Sequence, residues 1–157
     1  MKPKVYIETS VVSYLTARLS NNLIVAGHQQ ITQEWWEKVL PQVECIISLF
    51  VIEEVSRGDV SAASKRLEAI KDFSVLSLND DVKELANKYL KGIELPDKAK
   101  IDAFHLAFAA WYKVDYLVSW NCTHIASARV RKLLEKLNNQ LNIQTPIICT
   151  PEELMEV

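Results

Sequence analysis

The sequence predicts an α/β domain of three layers, a mainly parallel sheet covered by helices on both faces. Three observations predict it. Five short β-rich runs alternate with stretches of helical periodicity from one end of the chain to the other. The runs are rich in apolar residues, as strands shielded on both faces are. Finally, 157 residues with 49% apolar content suffice for one buried core, and no linker, repeat or low-complexity tract divides them, so residues 1–157 form a single domain.

The elements follow in order. "VYI" (5–7) is the first strand, and Thr9 and Ser10 offer hydroxyls to cap a helix carrying Val11, Val12, Tyr14 and Leu15. "SNN" (20–22) caps a long helix through "LIVAGHQQITQEWWEKVL", which Pro41 ends. "VECIIS" (43–48) is the next strand, and "LFVIEEVSRG" a helix closed by Gly58 at its C-terminal cap. "DVSAASKRLEAIKDF" (59–73) is amphipathic and leads to a short strand over 74–76. "NDDVKELANKYLKG" (79–92) is a helix capped by Asn79 or Asp80 and stopped at Gly92. "PDKAKIDAFHLAFAAWYKV" (96–114) carries a core stripe of Ile101, Phe104, Phe108 and Trp111. "DYLVSWN" (115–121) is a strand, and "SARVRKLLEKLNNQL" (127–141) aligns Val130, Leu133, Leu134, Leu137 and Leu141. "IIC" (147–149) is the last strand, after which Thr150, Pro151 and Glu153 form a capping box with proline at the first helical position.

Composition narrows the function. A net charge of −2 supplies no global basic field, so a nucleic acid would have to be held by a local patch. Cys45, Cys122 and Cys149 are odd in number and lack CxxC spacing, which argues against a disulfide framework or zinc ribbon and for a reducing cytoplasm. The N-terminus lacks a signal-peptide pattern, no run reaches membrane-spanning length, and three glycines cannot build a phosphate loop.

In an open parallel sheet, ligands bind outside the carboxyl ends of the strands. Glu8 closes the first strand, Glu53 and Glu54 follow the second, and Asn121 and His124 follow "YLVS"; Asp102 lies in the apolar helix feeding that strand. Three carboxylates from distant positions, with Asn121 beside them, suit an all-oxygen Mg²⁺ or Mn²⁺ site. Such an ion activates water and offsets charge developing on a phosphate.

Four segments carry a family resemblance. "YIETSVVSYL", "SLFVIEEVSRG", "DAFHLAFA" and "YLVSWN" resemble, in that order and over nearly the whole chain, the motif regions of the PIN-domain family, most closely VapC-like toxins of type II toxin–antitoxin pairs. The resemblance implies an α/β/α, Mg²⁺- or Mn²⁺-dependent endoribonuclease acting on RNA. It makes Glu8, Glu54 and Asp102 metal ligands, and Asn121 a catalytic residue completing the shell. By their position beside these residues, Thr9, Ser10, His124 and Arg129 are candidate substrate contacts. The expected partners are RNA and an antitoxin protein, with a second copy of the chain a further candidate and no membrane association. The sequence departs from the family in two places: Glu8 stands where Asp is usual, and the last acid is replaced by Asn121, with His124 three residues on.

Plainer roles remain open. Glu8 is placed to be stabilised by a helix dipole, Glu54 to pair with Arg57, and Asp102 to pair with Lys98; Glu53 competes with Glu54 as the inward acid. His105 is placed to orient Asp102 from the same helix face. Cys122 beside His124 lacks an orienting third group. One of Trp35 and Trp36, about 100° apart on a helix, is available for a partner groove or base stacking. Arg129, Arg131, Lys132 and Lys136 form a basic flank. The alternative function is a weakened PIN domain that binds RNA or protein. A small-molecule phosphohydrolase on a Rossmann-like sheet would need a nucleophilic Asp after the first strand, which is absent.

Overall fold

Strand β1 (Lys4–Ile7) is the middle of five. On one side it pairs with β2 (Glu44–Ser48), which pairs with β3 (Ser74–Leu76). On the other it pairs with β4 (Tyr116–Val118), which pairs with β5 (Ile147–Cys149). The computed structural model describes residues 1–157 and is α/β, with every strand pairing parallel. The chain moves outward from β1 to β3, then returns to place β4 against β1. That reversal falls between β1 and β4, and in open parallel sheets ligands bind outside the carboxyl ends of the strands at such a point.

Seven helices cover the sheet: α1 (Thr9–Thr16), α2 (Leu23–Lys38), α3 (Leu49–Val55), α4 (Val60–Ile70), α5 (Asp80–Gly92), α6 (Lys100–Trp111) and α7 (Ala128–Leu141). Val5, Tyr6, Ile7, Leu117 and Val118 have no exposed surface, as a sheet covered on both faces requires. Helix α6 is the most deeply placed: Ala103 through Ala110 are all buried. A helix apolar on every side must be enclosed, so the one imidazole in that run, His105, has to find its partners inside the protein. None of the helices is long and apolar enough to cross a membrane.

Several boundaries differ from the sequence expectation, each for a local reason. Glu8, rather than Thr9 or Ser10, is the N-cap of α1, its carboxylate accepting from Ser10 N–H. Helix α2 ends at Lys38, and Pro41 sits within a 3-10 turn over Leu40–Gln42. Helix α3 ends at Val55 with Ser56 as its cap; Gly58 lies two residues beyond, at φ +86°. Asn79, of the two candidates, caps α5. Gly92 does not break α5 by its own conformation; a Cβ there would lie 2.6 Å from Leu137 of α7, so the residue permits close helix contact. The 96–114 stretch divides into a 3-10 turn (Asp97–Ala99) and α6, and Trp111 is 41% exposed instead of core. Ile101 is only partly buried. Strand β4 stops at Val118, and the C-terminal capping box closes a single 3-10 turn, Glu152–Leu154.

Candidate metal centre

Side chains on a strand alternate between faces, so Tyr6 and Glu8 share one. The register sets Tyr6 beside Ile46 and Leu117, which puts Ser48 and Ser119 next to Glu8 on the flanking strands. Glu8 N–H donates to Val118 O at 3.1 Å, continuing the ladder one residue past β1 and fixing the residue at the carboxyl ends of β1 and β4. Glu54 comes from α3 and His105 from α6.

The Glu8 carboxylate is 4% exposed and well supported. Its Oε1 accepts from Ser10 Oγ and Ser119 Oγ, both at 2.5 Å, and its Oε2 from Ser10 N–H at 3.2 Å. The Glu54 Oε1 accepts from Thr9 Oγ1 at 2.7 Å and from His105 Nε2 at 2.6 Å, while its Oε2 accepts no bond. A carboxylate offers about four lone-pair positions. Both acids therefore keep acceptor capacity. One ligand atom from each of Glu8, Glu54 and His105 lies within 4.8 Å of the others.

Behind Glu54 a hydrogen-bond chain runs into the core. His105 Nδ1 meets the Tyr6 hydroxyl at 2.7 Å, and that hydroxyl meets Ser48 Oγ at 2.7 Å. Since an ionised carboxylate can only accept, Nε2 carries the proton shared with Glu54. Tyr6 then donates to a neutral imidazole while accepting from Ser48, or accepts from an imidazolium while donating to Ser48. Burial pushes Glu54 upward, but the His105 hydrogen bond and charge, the Thr9 hydroxyl and Arg57 outweigh it, so its pKa is lowered. Burial pushes His105 downward, but the bond to Glu54 and the charges of Glu8, Glu54 and Asp102 outweigh it, so its pKa is raised. Desolvation drives Tyr6 well above the usual phenol range, which keeps it a neutral relay.

The structure departs from the sequence-derived site at several residues. Asp102 does not join the cluster; one turn before His105 on α6, its Oδ2 pairs with His124 Nδ1 at 3.1 Å, and the Lys98 ion pair is not formed. The Asn121 Oδ1 accepts from Thr123 N–H and His124 N–H, building the turn that delivers His124 to Asp102. Thr9 and Ser10 donate their hydroxyls to Glu54 and Glu8. Arg129 is committed to Ile93 O at 2.8 Å, and Arg131 to Ile148 O at 3.0 Å, so the basic flank keeps only Lys132 and Lys136 free of such ties. Glu54, not the exposed Glu53, is the inward acid. His105 bonds Glu54, although the sequence places it to orient Asp102.

Trp35 is fully buried and donates to Leu154 O; Trp36 packs on Trp35 and Phe73, so neither forms a free stacking surface. Burial raises the Cys45 thiol to about 11 and the Cys149 thiol to about 12, so neither is a ready nucleophile; Cys122 is exposed. Sequence inspection missed Tyr6, Ser48 and Ser119. A signal for the serines was present, since Glu8, Ser48 and Ser119 each follow an apolar strand run. A cavity of about 630 Å³ opens at the opposite end of the sheet, near Lys4 and Tyr116, away from these acids.

The donor set suits a hard divalent ion. Two carboxylates from different elements face one point, supported by hydroxyls and an imidazole, and Glu54 Oε2 has no other partner. Two acids this close repel unless a cation, the His105 imidazolium or a metal, sits with them. Searches of protein-family models and of curated proteins return no match for this chain.

Proposed function

We propose that the protein is a PIN-like, Mg²⁺- or Mn²⁺-dependent endoribonuclease, the toxin partner of an antitoxin. The observation that carries this reading is the cluster of Glu8, Glu54 and His105 at the carboxyl ends of a parallel sheet, within 4.8 Å. A bound divalent ion supplies an activated water and offsets phosphate charge. Glu8 and Glu54 hold it, and the Ser10, Ser119 and Thr9 hydroxyls keep those carboxylates aimed. His105, bonded to Glu54 through its protonated Nε2, fixes that side chain's orientation. Asp102 adds negative charge beside the cluster and orients His124 toward substrate.

A protein partner is supported by a different surface. Residues 19–33 contain no Asp, Glu, Lys or Arg, and Leu19, Leu23 and Ile24 within them are 75%, 88% and 71% exposed. An uncharged apolar face of this kind suits coverage by another chain. The binding-module alternative is favoured by Asp102 standing outside the cluster, which leaves two converging carboxylates instead of three.

The test is cleavage of total RNA by purified protein with Mn²⁺, Mg²⁺ or chelator. Metal-dependent cleavage that Glu54→Gln abolishes is the expected result. Metal binding without cleavage would select the module, and cleavage that survives chelation would rule out the hydrolytic mechanism.

A further inference from the structure

Beside the acids lies an aromatic stack that none of the proposed chemistry uses. Tyr14 of α1, His28 of α2 and Trp120, just after β4, lie nearly parallel. His28 covers the Trp120 indole with ring centroids 4.0 Å apart and planes 11° apart. Tyr14 lies 6.2 Å and 22° from His28, and 6.1 Å and 19° from Trp120. Trp120 is a fixed base: it is 6% exposed, and its Nε1 donates to the buried Thr32 Oγ1 at 2.7 Å. Tyr14 and His28 are only partly buried. The Tyr14 hydroxyl and both His28 ring nitrogens lack partners within the chain, and no buried side-chain polar atom is unpaired, so their polar edges reach solvent.

The stack is mechanically tied to the acids. Trp120 N–H donates to Ser10 Oγ at 2.8 Å, and the same hydroxyl donates to Glu8 Oε1. Tyr14 follows Ser10 by four residues on one face of α1, about one helical turn, or ~5.4 Å, farther along. A nucleotide whose phosphate lay at Glu8 and Glu54 would carry its base over that turn.

We infer that Tyr14 and His28, backed by Trp120, form a stacking platform for one unpaired nucleobase flanking the scissile phosphate. This rests on the nuclease reading and specifies how its substrate is held. The planar faces accept any base, with purines favoured by their larger stacking area.

The experiment is an abasic scan. A short RNA carrying a cleavage site mapped on total RNA is made with a single abasic nucleotide at each position in turn. Single-turnover cleavage is measured for wild type, Tyr14→Ala/His28→Ala and Tyr14→Phe/His28→Phe, with thermal unfolding and Mn²⁺ titration of each. For wild type, loss of one particular base next to the cleavage site should slow cleavage about tenfold, the scale of one base–aromatic stack. The alanine pair should lose about as much on intact RNA and be indifferent to that base, whereas the phenylalanine pair should restore both rate and sensitivity. If the alanine pair retains the wild-type abasic penalty at every position, the platform is overturned while the nuclease stands. Failure of wild type to cleave any RNA overturns both.

Discussion

Helix α6 carries one half of each of two carboxylate–imidazole pairs, three residues apart, and the two are built differently. His105 is wholly enclosed, bonds Glu54 at 2.6 Å and has Tyr6 and Ser48 behind it. Asp102 bonds His124 at 3.1 Å, with the two side chains 17% and 21% exposed, and His124 comes from a turn outside the sheet. An imidazole sealed in an apolar helix bundle depends on every hydrogen bond it makes, because loss of one leaves a buried polar group unpaired. At the rim, water replaces a lost partner. The inner pair therefore couples fold to site, while the outer pair is free to move without unfolding its surroundings.

The largest expected contrast is in stability. Replacing His105 with alanine empties a buried site and strands Tyr6 and Glu54, for a loss of about 3 kcal/mol or more in denaturant unfolding. His124→Ala should cost less than about 1 kcal/mol, as a partly exposed pair does. Equal losses would dissolve the distinction between the pairs.

Tyr6→Phe comes next. It keeps the ring against Phe108 but removes the hydroxyl that joins His105 to Ser48, at a cost of about 1–2 kcal/mol. Adding Ser48→Ala in the Phe background should cost little more, since the serine has already lost this partner; a fully additive double variant would show that the relay does not act as a chain.

The pH dependence of the metal-free protein sharpens the comparison further. Glu54 is held below its ordinary 4.5, so its contribution is present above that value and is lost as pH falls through the lowered pKa. His105 is held above its ordinary 6.5, so its contribution is present below that value and is lost as pH rises through the raised pKa. With chelator present, the pair contributes fully between those ordinary values, and stability declines on both sides. Unfolding curves of His105→Gln should lack the alkaline decline, whereas those of His124→Gln should retain it.

The smallest effect is expected at residue 121. Asp would make the same bonds to Thr123 and His124 that Asn makes, so Asn121→Asp should change Mn²⁺ affinity by less than about threefold. A gain beyond tenfold would place residue 121 on the ion after all.

The layer order and the two main acids were legible because each follows from a local rule. Glu8 ends an apolar strand run, and Glu54 lies on an α3 that starts where β2 stops. The role of Asn121 was not legible, because residue type does not reveal that its amide oxygen meets the Thr123 and His124 N–H groups of its own turn. Tyr6 was hidden for the opposite reason, since a tyrosine in a strand reads as core and its hydroxyl partners come from residues 42 and 99 positions away. Aromatic content pointed to the adjacent tryptophans 35 and 36, but the stack beside the acids joins three segments whose proximity no sequence spacing encodes.

The most direct test of the centre is Mn²⁺ titration by calorimetry into wild type, Glu8→Gln, Glu54→Gln and Asp102→Asn. Wild type should bind the ion, with Glu8→Gln and Glu54→Gln each weakening it at least tenfold, a change of about 1.4 kcal/mol or more. Asp102→Asn should weaken it only about threefold, through lost charge rather than a lost ligand. A loss at Asp102 equal to that at Glu54 would contradict an ion held by Glu8 and Glu54 with Asp102 outside its ligands, and absence of Mn²⁺ binding by wild type would contradict the centre itself.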